Sequence, residues 1–372
     1  MKQSTIALQE TLNCPTVLLM TTKHMGNLLL CLRSMATLVK ANPDKTLIVL
    51  DEAYRDIVES IPELSGVLYY PRKRLSDART FEKLKLLRAF YASLWASGAK
   101  RLINFDSQLL STTIAIGSRV KTRWGLPDSA RPGLYTKIID NDSAQPHRVF
   151  HFAQHVQHLM DASDATDYPE LQALSKHRDS LQFILQTYGL NVHRPYMCIH
   201  GGATKGYKQW PTAQFASSAD WLAEQGYQVV FIGAGESDRK ITEQILKQST
   251  GAHINLCNAL KLGELIALFS QCTLFLGNDS GPMHLAAASG AQVFALFGPT
   301  DELRWGPLGD QATIIRNPIP CDDSCSKKSC LLDYRCIKLL SQDFVQDIIS
   351  RQLVAPAKTI NANADQLNAT SR

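Results

Sequence analysis

The densest chemistry in the chain lies in one run of residues, Phe275-Leu276-Gly277-Asn278-Asp279-Ser280-Gly281-Pro282-Met283-His284-Leu285-Ala286-Ala287-Ala288. An apolar, strand-like start gives way to a small-residue turn and then to a helix-forming stretch. Such a turn offers an anion the unspent N–H groups of a helix's first turn and the positive end of its dipole. Pro282 suits the first helical turn, where no N–H is missed, and Gly281 lets a phosphate approach the backbone. Asp279 and Ser280 would also serve as ordinary caps, but capping does not account for His284 and the small residues together. A second run, His200-Gly201-Gly202-Ala203-Thr204-Lys205-Gly206-Tyr207-Lys208-Gln209-Trp210-Pro211, sets glycines, a hydroxyl and lysines after another strand. That composition suits a diphosphate and suits a solvated loop equally well, and it lacks the Gly-Lys-Ser/Thr ending of a phosphoryl-transfer loop. In a third run, Ile232-Gly233-Ala234-Gly235-Glu236, a carboxylate at a strand end would accept hydrogen bonds from a ribose diol. Three such loops in one half of the chain point to a nucleotide-type ligand.

These loops need strands and helices to aim them. Apolar runs at Thr16–Met20, Thr46–Leu50, Gly66–Tyr70 and Arg101–Phe105 alternate with helix-period stretches at Leu28–Val39, from Tyr54, and at Thr80–Ala96. The alternation weakens between Gly125 and Asp167, where Pro127, Pro132, Gly133 and Pro146 predict loops and a connecting helix. It restarts with strands at Tyr196–His200, Gln228–Gly233, near Ile254, Leu274–Gly277 and Gln292–Phe297. Helices are predicted between them at Gln214–Gln225, Ser237–Gln248, Leu262–Ser270 and Pro282–Ser289, with a last one from Phe344 to Leu353. Strands alternating with helices imply parallel sheets with right-handed crossovers. The chain therefore reads as α/β, with two Rossmann-like domains at residues 1–190 and 191–354 and a polar tail at 355–372.

In this order, Lys208-Gln209-Trp210-Pro211, Gly233 to Glu236, Gly277 to His284 and Phe297-Gly298-Pro299-Thr300 resemble glycosyltransferase family 9, the ADP-heptose:lipopolysaccharide heptosyltransferases. The likeness covers roughly residues 16–350, and its most specific part is Gly277 to Thr300. It implies a GT-B architecture, two Rossmann-like domains facing across a cleft, with the nucleotide sugar on the C-terminal half and the acceptor on the N-terminal half. It also implies an inverting, metal-independent transfer from a nucleotide-sugar co-substrate, ADP-heptose, to a lipopolysaccharide inner-core acceptor, with no separate cofactor. Carried over by position, Lys208 and Thr204 hold the diphosphate and the backbone at Ser280 and Gly281 completes its cradle. Glu236 meets the ribose, with Asp238 the alternative. Asp279 binds the transferred sugar's hydroxyls, and His284 lies near the phosphates.

One motif departs from the family. Members carry Gly-Asp after the first strand, the aspartate being the general base, whereas this chain reads His24-Met25-Gly26-Asn27-Leu28. An amide cannot take the acceptor's proton, and inverting transfer needs a base within hydrogen-bond reach of the attacking hydroxyl. His24, in the same loop, comes first among the substitutes, since histidine is the side chain most used as a general base near neutral pH. Asp106 follows, in Asn104-Phe105-Asp106-Ser107-Gln108-Leu109, which aligns with an Asp-x-Gln-Gly motif except that Leu109 replaces the glycine. A non-catalytic member that binds a sugar nucleotide or glycan is the other reading of Asn27. A Rossmann-type epimerase would need a Gly-x-x-Gly-x-x-Gly turn that the first loop does not supply.

Composition bounds the rest. With 372 residues, 45% hydrophobic and 20% charged, the chain can bury two sizeable cores. No run approaches the ~20 apolar residues needed to span a bilayer, and Met1–Asn13 has no apolar h-region. These features predict a cytoplasmic protein, and the resemblance implies one that is peripheral at the inner face of the inner membrane. The net charge of +5 is modest, but Arg72, Lys73, Arg74, Arg119 and Arg123 cluster as candidate acceptor-binding groups, since guanidinium groups suit carboxylates and phosphates. No aromatic-interleaved basic stripe suggests nucleic acid. Nine cysteines argue against an oxidised scaffold. Four of them, Cys321, Cys325, Cys330 and Cys336, lie close together but are not spaced like paired zinc knuckles, and a structural role is favoured over metal.

Overall fold

Val17 to Met20 and Tyr196 to His200 are buried at every position, which marks strands covered by helices on both faces. In the computed structural model, which describes residues 14–139, 145–160, 165–319 and 330–353, each of these runs is the first strand of a parallel sheet. The first half runs β1 (Thr16–Met20), α1 (Met25–Ala41), β2 (Thr46–Asp51), α2 (Arg55–Glu59), β3 (Val67–Tyr70), α3 (Arg72–Asp77), α4 (Thr80–Ala96) and β4 (Arg101–Asn104). It continues with α5 (Leu109–Gly117), β5 (Thr122–Gly125), β6 (Lys137–Ile138), α6 (Arg148–Gln157) and α7 (Ser175–Thr187). The second half comprises β7 (Tyr196–His200), α8 (Thr212–Glu224), β8 (Gln228–Phe231), α9 (Gly235–Gln248), β9 (Ile254–Asn255), α10 (Leu262–Phe269) and β10 (Leu274–Asn278). It ends with α11 (Gly281–Ala288), β11 (Val293–Phe297), α12 (Glu302–Trp305), β12 (Ala312–Arg316), α13 (Arg335–Lys338) and α14 (Gln342–Leu353).

The strand orders are β3-β2-β1-β4-β5-β6 and β12-β11-β10-β7-β8-β9. Numbered from their own first strands, the two sheets have the same doubly wound order, and every pairing is parallel. The chain reverses direction across the sheet between β1 and β4 in one half and between β7 and β10 in the other, and ligands of open α/β sheets bind at the carboxyl ends of such strands.

The two-sheet expectation holds, but the strand count needs correction. The sequence predicts four strands and then five, whereas each sheet has six. The additional strands, β5, β6 and β12, are outer ones, partly exposed, without a continuous apolar run or clean alternation. Pairing to a neighbour makes them strands, and pairing is not visible in a window of sequence. The expected boundary at Gly189–Arg194 lies between α7 and β7.

Each half has an apolar cluster of its own, and a third cluster is shared between them. Helix α1 packs on α6 and also on α11 of the other half, and α10 packs on α7 and α2. A single apolar cluster includes Leu28, Ile103 and Phe152 from the first half together with Ile266, Met283 and Leu285 from the second. At the α1–α11 crossing the backbones approach closely. A Cβ at Gly26 would lie 2.6 Å from the His284 ring, and one at Gly281 would lie 2.9 Å from Met25.

Candidate functional site

In the second half, two strand-end loops, those after β7 and β10, meet through one buried side chain. Asn278, the last residue of β10, donates from Nδ2 to the carbonyls of Gly201 (2.9 Å) and Gly202, and its Oδ1 accepts from the Trp210 N–H at 3.0 Å. Trp210 is itself buried, its indole N–H donating to the Leu340 carbonyl. The Lys-x-Trp-Pro run is therefore an anchor. Trp210 sinks into the core, Pro211 is the N-cap of α8, and the turn before them sets Lys208 at the sheet edge. There the Lys208 ammonium donates to Asp279 Oδ2 at 2.6 Å, with the carboxylate nearly buried.

His200 closes the reversal point. Its Nδ1 lies 3.1 Å from the Ser280 hydroxyl and its Nε2 lies 3.1 Å from Asp238 Oδ2, so β7 and β10 are tied across the position where a ligand would sit. Ser280 is the N-cap of α11 but makes no side-chain cap, and the first-turn N–H groups of a helix have no intrahelical acceptor. Burial pushes the Asp238 carboxyl up, but the hydrogen bond and charge of His200 and the Ala234 N–H outweigh it and hold the group below its ordinary value. The glycines of the second and third loops serve this carboxylate. A Cβ at Gly202 or at Gly233 would collide with Asp238, and one at Gly201 would meet Ile245. Glu236 points away, fully exposed and paired with Arg239 and Lys240. Of the two carboxylates considered for the ribose, Asp238 is the one in the site.

A cavity of about 860 Å³ opens here between the halves. Its polar wall includes His200, Thr204, Asp238, Ser280 and Gly281. Its apolar end is formed by Ile232, which begins the third run, and by Leu256, Leu260 and Leu265, which do not stand out in the sequence because leucines on a helix and after a strand look like core. Met25, Ala53 and Lys73 reach it from the first half. His284 faces the joint between the halves, its Nδ1 2.6 Å from the Tyr168 hydroxyl, which accepts from the Leu308 N–H. Burial lowers its pKa to about 4, so the ring is neutral near pH 7.

The reversal point of the first sheet is built differently. Arg72 pairs with Asp51 at the end of β2 and donates to the Thr21 carbonyl after β1, so it clasps two strand ends. Arg74 pairs with Glu52 on the surface. Asp106 follows β4, 3% exposed; its Oδ1 accepts from the Gln108 N–H, and its Oδ2 has no hydrogen-bond partner. Burial raises its pKa to about 6, against opposing hydrogen bonds from Gln108, Ser107 and Ser111 and the charge of Arg72. The Gln108 amide reaches the Thr22 hydroxyl, so the Asp106 loop touches the loop that leads to His24 and Asn27. His24 is the exposed N-cap of α1 and makes no side-chain cap, and Asn27 is half-buried in the first turn. Arg119 and Arg123 are not brought to the cavity. The Arg119 guanidinium stacks 3.8 Å over Trp95, and Arg123 donates to the carbonyls of Leu134 and Val120.

Of the cysteine cluster, Cys321 and Cys325 lie outside the described residues, as do Met1–Asn13 and the tail 355–372. Cys336 is buried, and Cys330 accepts from the Tyr334 N–H. Among the described residues no helix is long and apolar enough to cross a membrane.

Comparison with known proteins gives a consistent picture. The sequence profile of glycosyltransferase family 9 (heptosyltransferase) matches residues 87–335. The chain is 36% identical over 223 residues to lipooligosaccharide heptosyltransferase 2 of Haemophilus influenzae, a match covering 58% of this chain and 64%, just under two thirds, of that protein's length. Its fold is similar to that of a glycosyl transferase family 9 protein from Veillonella parvula, with a TM-score of 0.78 at 22% identity over 92% of this chain and 97% of the other. The E. coli ADP-heptose lipopolysaccharide heptosyltransferase II superposes with a TM-score of 0.71 at 20% identity over 91% and 98%.

Proposed function

We propose, from the premise that this chain belongs to glycosyltransferase family 9, that it transfers a heptose from ADP-heptose to a lipopolysaccharide inner-core acceptor, with inversion and without a metal. The observation that carries this reading is the two-sided cavity: the uncapped start of α11, directly preceded in the chain by the Lys208-paired Asp279, lines it, and Lys73 enters it from the other half. In this reading the adenine occupies the apolar end beside Leu256 and Leu260, and the ribose diol meets Asp238. The diphosphate lies against the N–H groups of Ser280 and Gly281 and the Thr204 hydroxyl. Lys208 exchanges its carboxylate partner for the diphosphate, which frees Asp279 to accept from the heptose hydroxyls. Lys73 faces the acidic acceptor.

The acceptor oxygen attacks the anomeric carbon opposite the leaving group. The bond from that carbon to the diphosphate oxygen breaks, and its electron pair passes to a diphosphate held by Lys208 and the helix start, a fixed positive field aimed at the developing charge. The acceptor's proton goes to Asp106, which supersedes His24 here because its unpartnered Oδ2 and a pKa of about 6 suit a base working near neutrality. Asn27 motivates a second reading, a non-catalytic binder of sugar nucleotides. Radiolabelled transfer from ADP-heptose to a truncated lipopolysaccharide, beside calorimetric titration with the same donor, separates the two. Transfer is expected, and binding across a panel of acceptors with no transfer would leave only the binder.

A further inference from the structure

Helix α4 buries little of itself. Only Phe90 and Leu94 are fully buried, both in its second half, and residues 80–85 are all exposed. Phe81, Leu84, Lys85, Arg88, Ala92 and Trp95 follow one another at i, i+3, i+4, i+7, i+11 and i+14, which places them on one face of an α-helix. That face is opposite Phe90 and Leu94 and points outward, with Phe81 83%, Leu84 57% and Trp95 42% exposed. The Arg119 guanidinium lies over the Trp95 ring and extends the stripe beyond the helix. From Arg72 to Arg88 there are seven basic residues and two acidic ones, an excess equal to the net charge of the whole chain.

We infer that this face docks on a bilayer surface rich in anionic phospholipid, with Phe81 and Leu84 entering the acyl boundary and Lys85, Arg88 and Arg119 meeting headgroup phosphates. A face on which exposed apolar side chains and cations alternate, with a tryptophan among them, suits the interfacial layer of a membrane, where lysine and arginine stems lie along the apolar zone and their charges stay in the headgroups. A second copy of the chain fits poorly, because a two-fold contact would bring the same cations face to face. The inference rests on the proposed function for its purpose: α3, which brings Lys73 to the cavity, is joined to α4 by only Ala78 and Arg79. Docking would thus hold the acceptor side of the cavity beside a lipid-anchored glycan.

Co-sedimentation of the full chain with vesicles of phosphatidylglycerol and phosphatidylcholine, against vesicles of phosphatidylcholine alone, tests it. Binding to the anionic vesicles is expected to be at least about tenfold tighter and to weaken with added salt. Replacing Lys85 and Arg88 with glutamine should weaken it roughly 25-fold, at about fivefold per charge. Phe81→Ser with Leu84→Ser should also release the protein, and since both side chains are exposed the melting temperature should not fall. Equal binding to both vesicle types, no binding at all, or unchanged binding by these variants would overturn the inference. So would a sedimentation result in which Phe81→Ser/Leu84→Ser turned a dimer into a monomer. Transfer to a deacylated, water-soluble acceptor should be the same in all these proteins. Its absence in the wild type would count against the transferase reading and leave the vesicle result standing.

Discussion

At the carboxyl edge of the second sheet the charges are matched. Lys208 has Asp279, Asp238 has His200, and Asn278 laces the loops after β7 and β10 together. The same edge of the first sheet has Arg72 committed to strand ends, while Asp106 is buried with one oxygen unpartnered and a raised pKa. One topology thus supports two kinds of site. In the second the charged groups are paired with one another, and in the first an unfavourable group is kept in place, a feature common at sites of proton transfer.

Substituting Asp106 should separate the two most clearly. Its folded-state pKa lies above its ordinary value of 3.8, so the folded protein holds an extra proton between about pH 4 and pH 6, and stability falls as pH rises through that window. Asp106→Asn should therefore lower kcat by about 10²–10⁴ and abolish the acid limb near pH 6 in the pH–rate profile. At pH 8 it should also stabilise the protein by on the order of 1–3 kcal/mol in chemical denaturation. A stabilised variant with unimpaired turnover would make Asp106 structural and return His24 to first place.

Lys208→Ala should lower kcat by roughly 10²–10³ and, in contrast, destabilise the fold by about 2 kcal/mol, since Asp279 loses its cation. Normal turnover by this variant would remove the donor site. Asp238→Ala should raise the KM for ADP-heptose about tenfold, the size of one hydrogen bond to a charged group, while kcat changes little. Glu236→Gln should leave both constants within about twofold, because Glu236 meets only neighbours on its own exposed helix face. If Glu236 proved the more sensitive of the two, the ribose assignment would move back to it.

The contrast also explains what could be read in advance. The edge of the second sheet was legible because its chemistry is local in sequence: one strand, one turn and one helix start carry Asn278 to His284 in contiguous order, with a lysine two residues before the anchored Trp210. Asp238 was less visible, since the glycines that signal a phosphate loop here make room for a carboxylate. The corresponding edge of the first sheet is assembled from the ends of β1, β2 and β4, and no spacing rule connects Thr22, Asp51 and Asp106. Arg119 and Arg123 look like Arg72 in sequence, yet their partners, a tryptophan ring and two carbonyls, are set by tertiary structure. The outer strands were missed for the same reason, because a neighbour and not their own pattern makes them strands.

The apolar cluster that threads both sheets has a thermodynamic consequence. With Met25 seated on Gly281 and His284 on Gly26, melting either half exposes the other's interior, so heating should produce one cooperative transition, with calorimetric and van't Hoff enthalpies in agreement. Each half expressed alone would present that seam to water, and the protein's smallest autonomous folding unit would then be the pair.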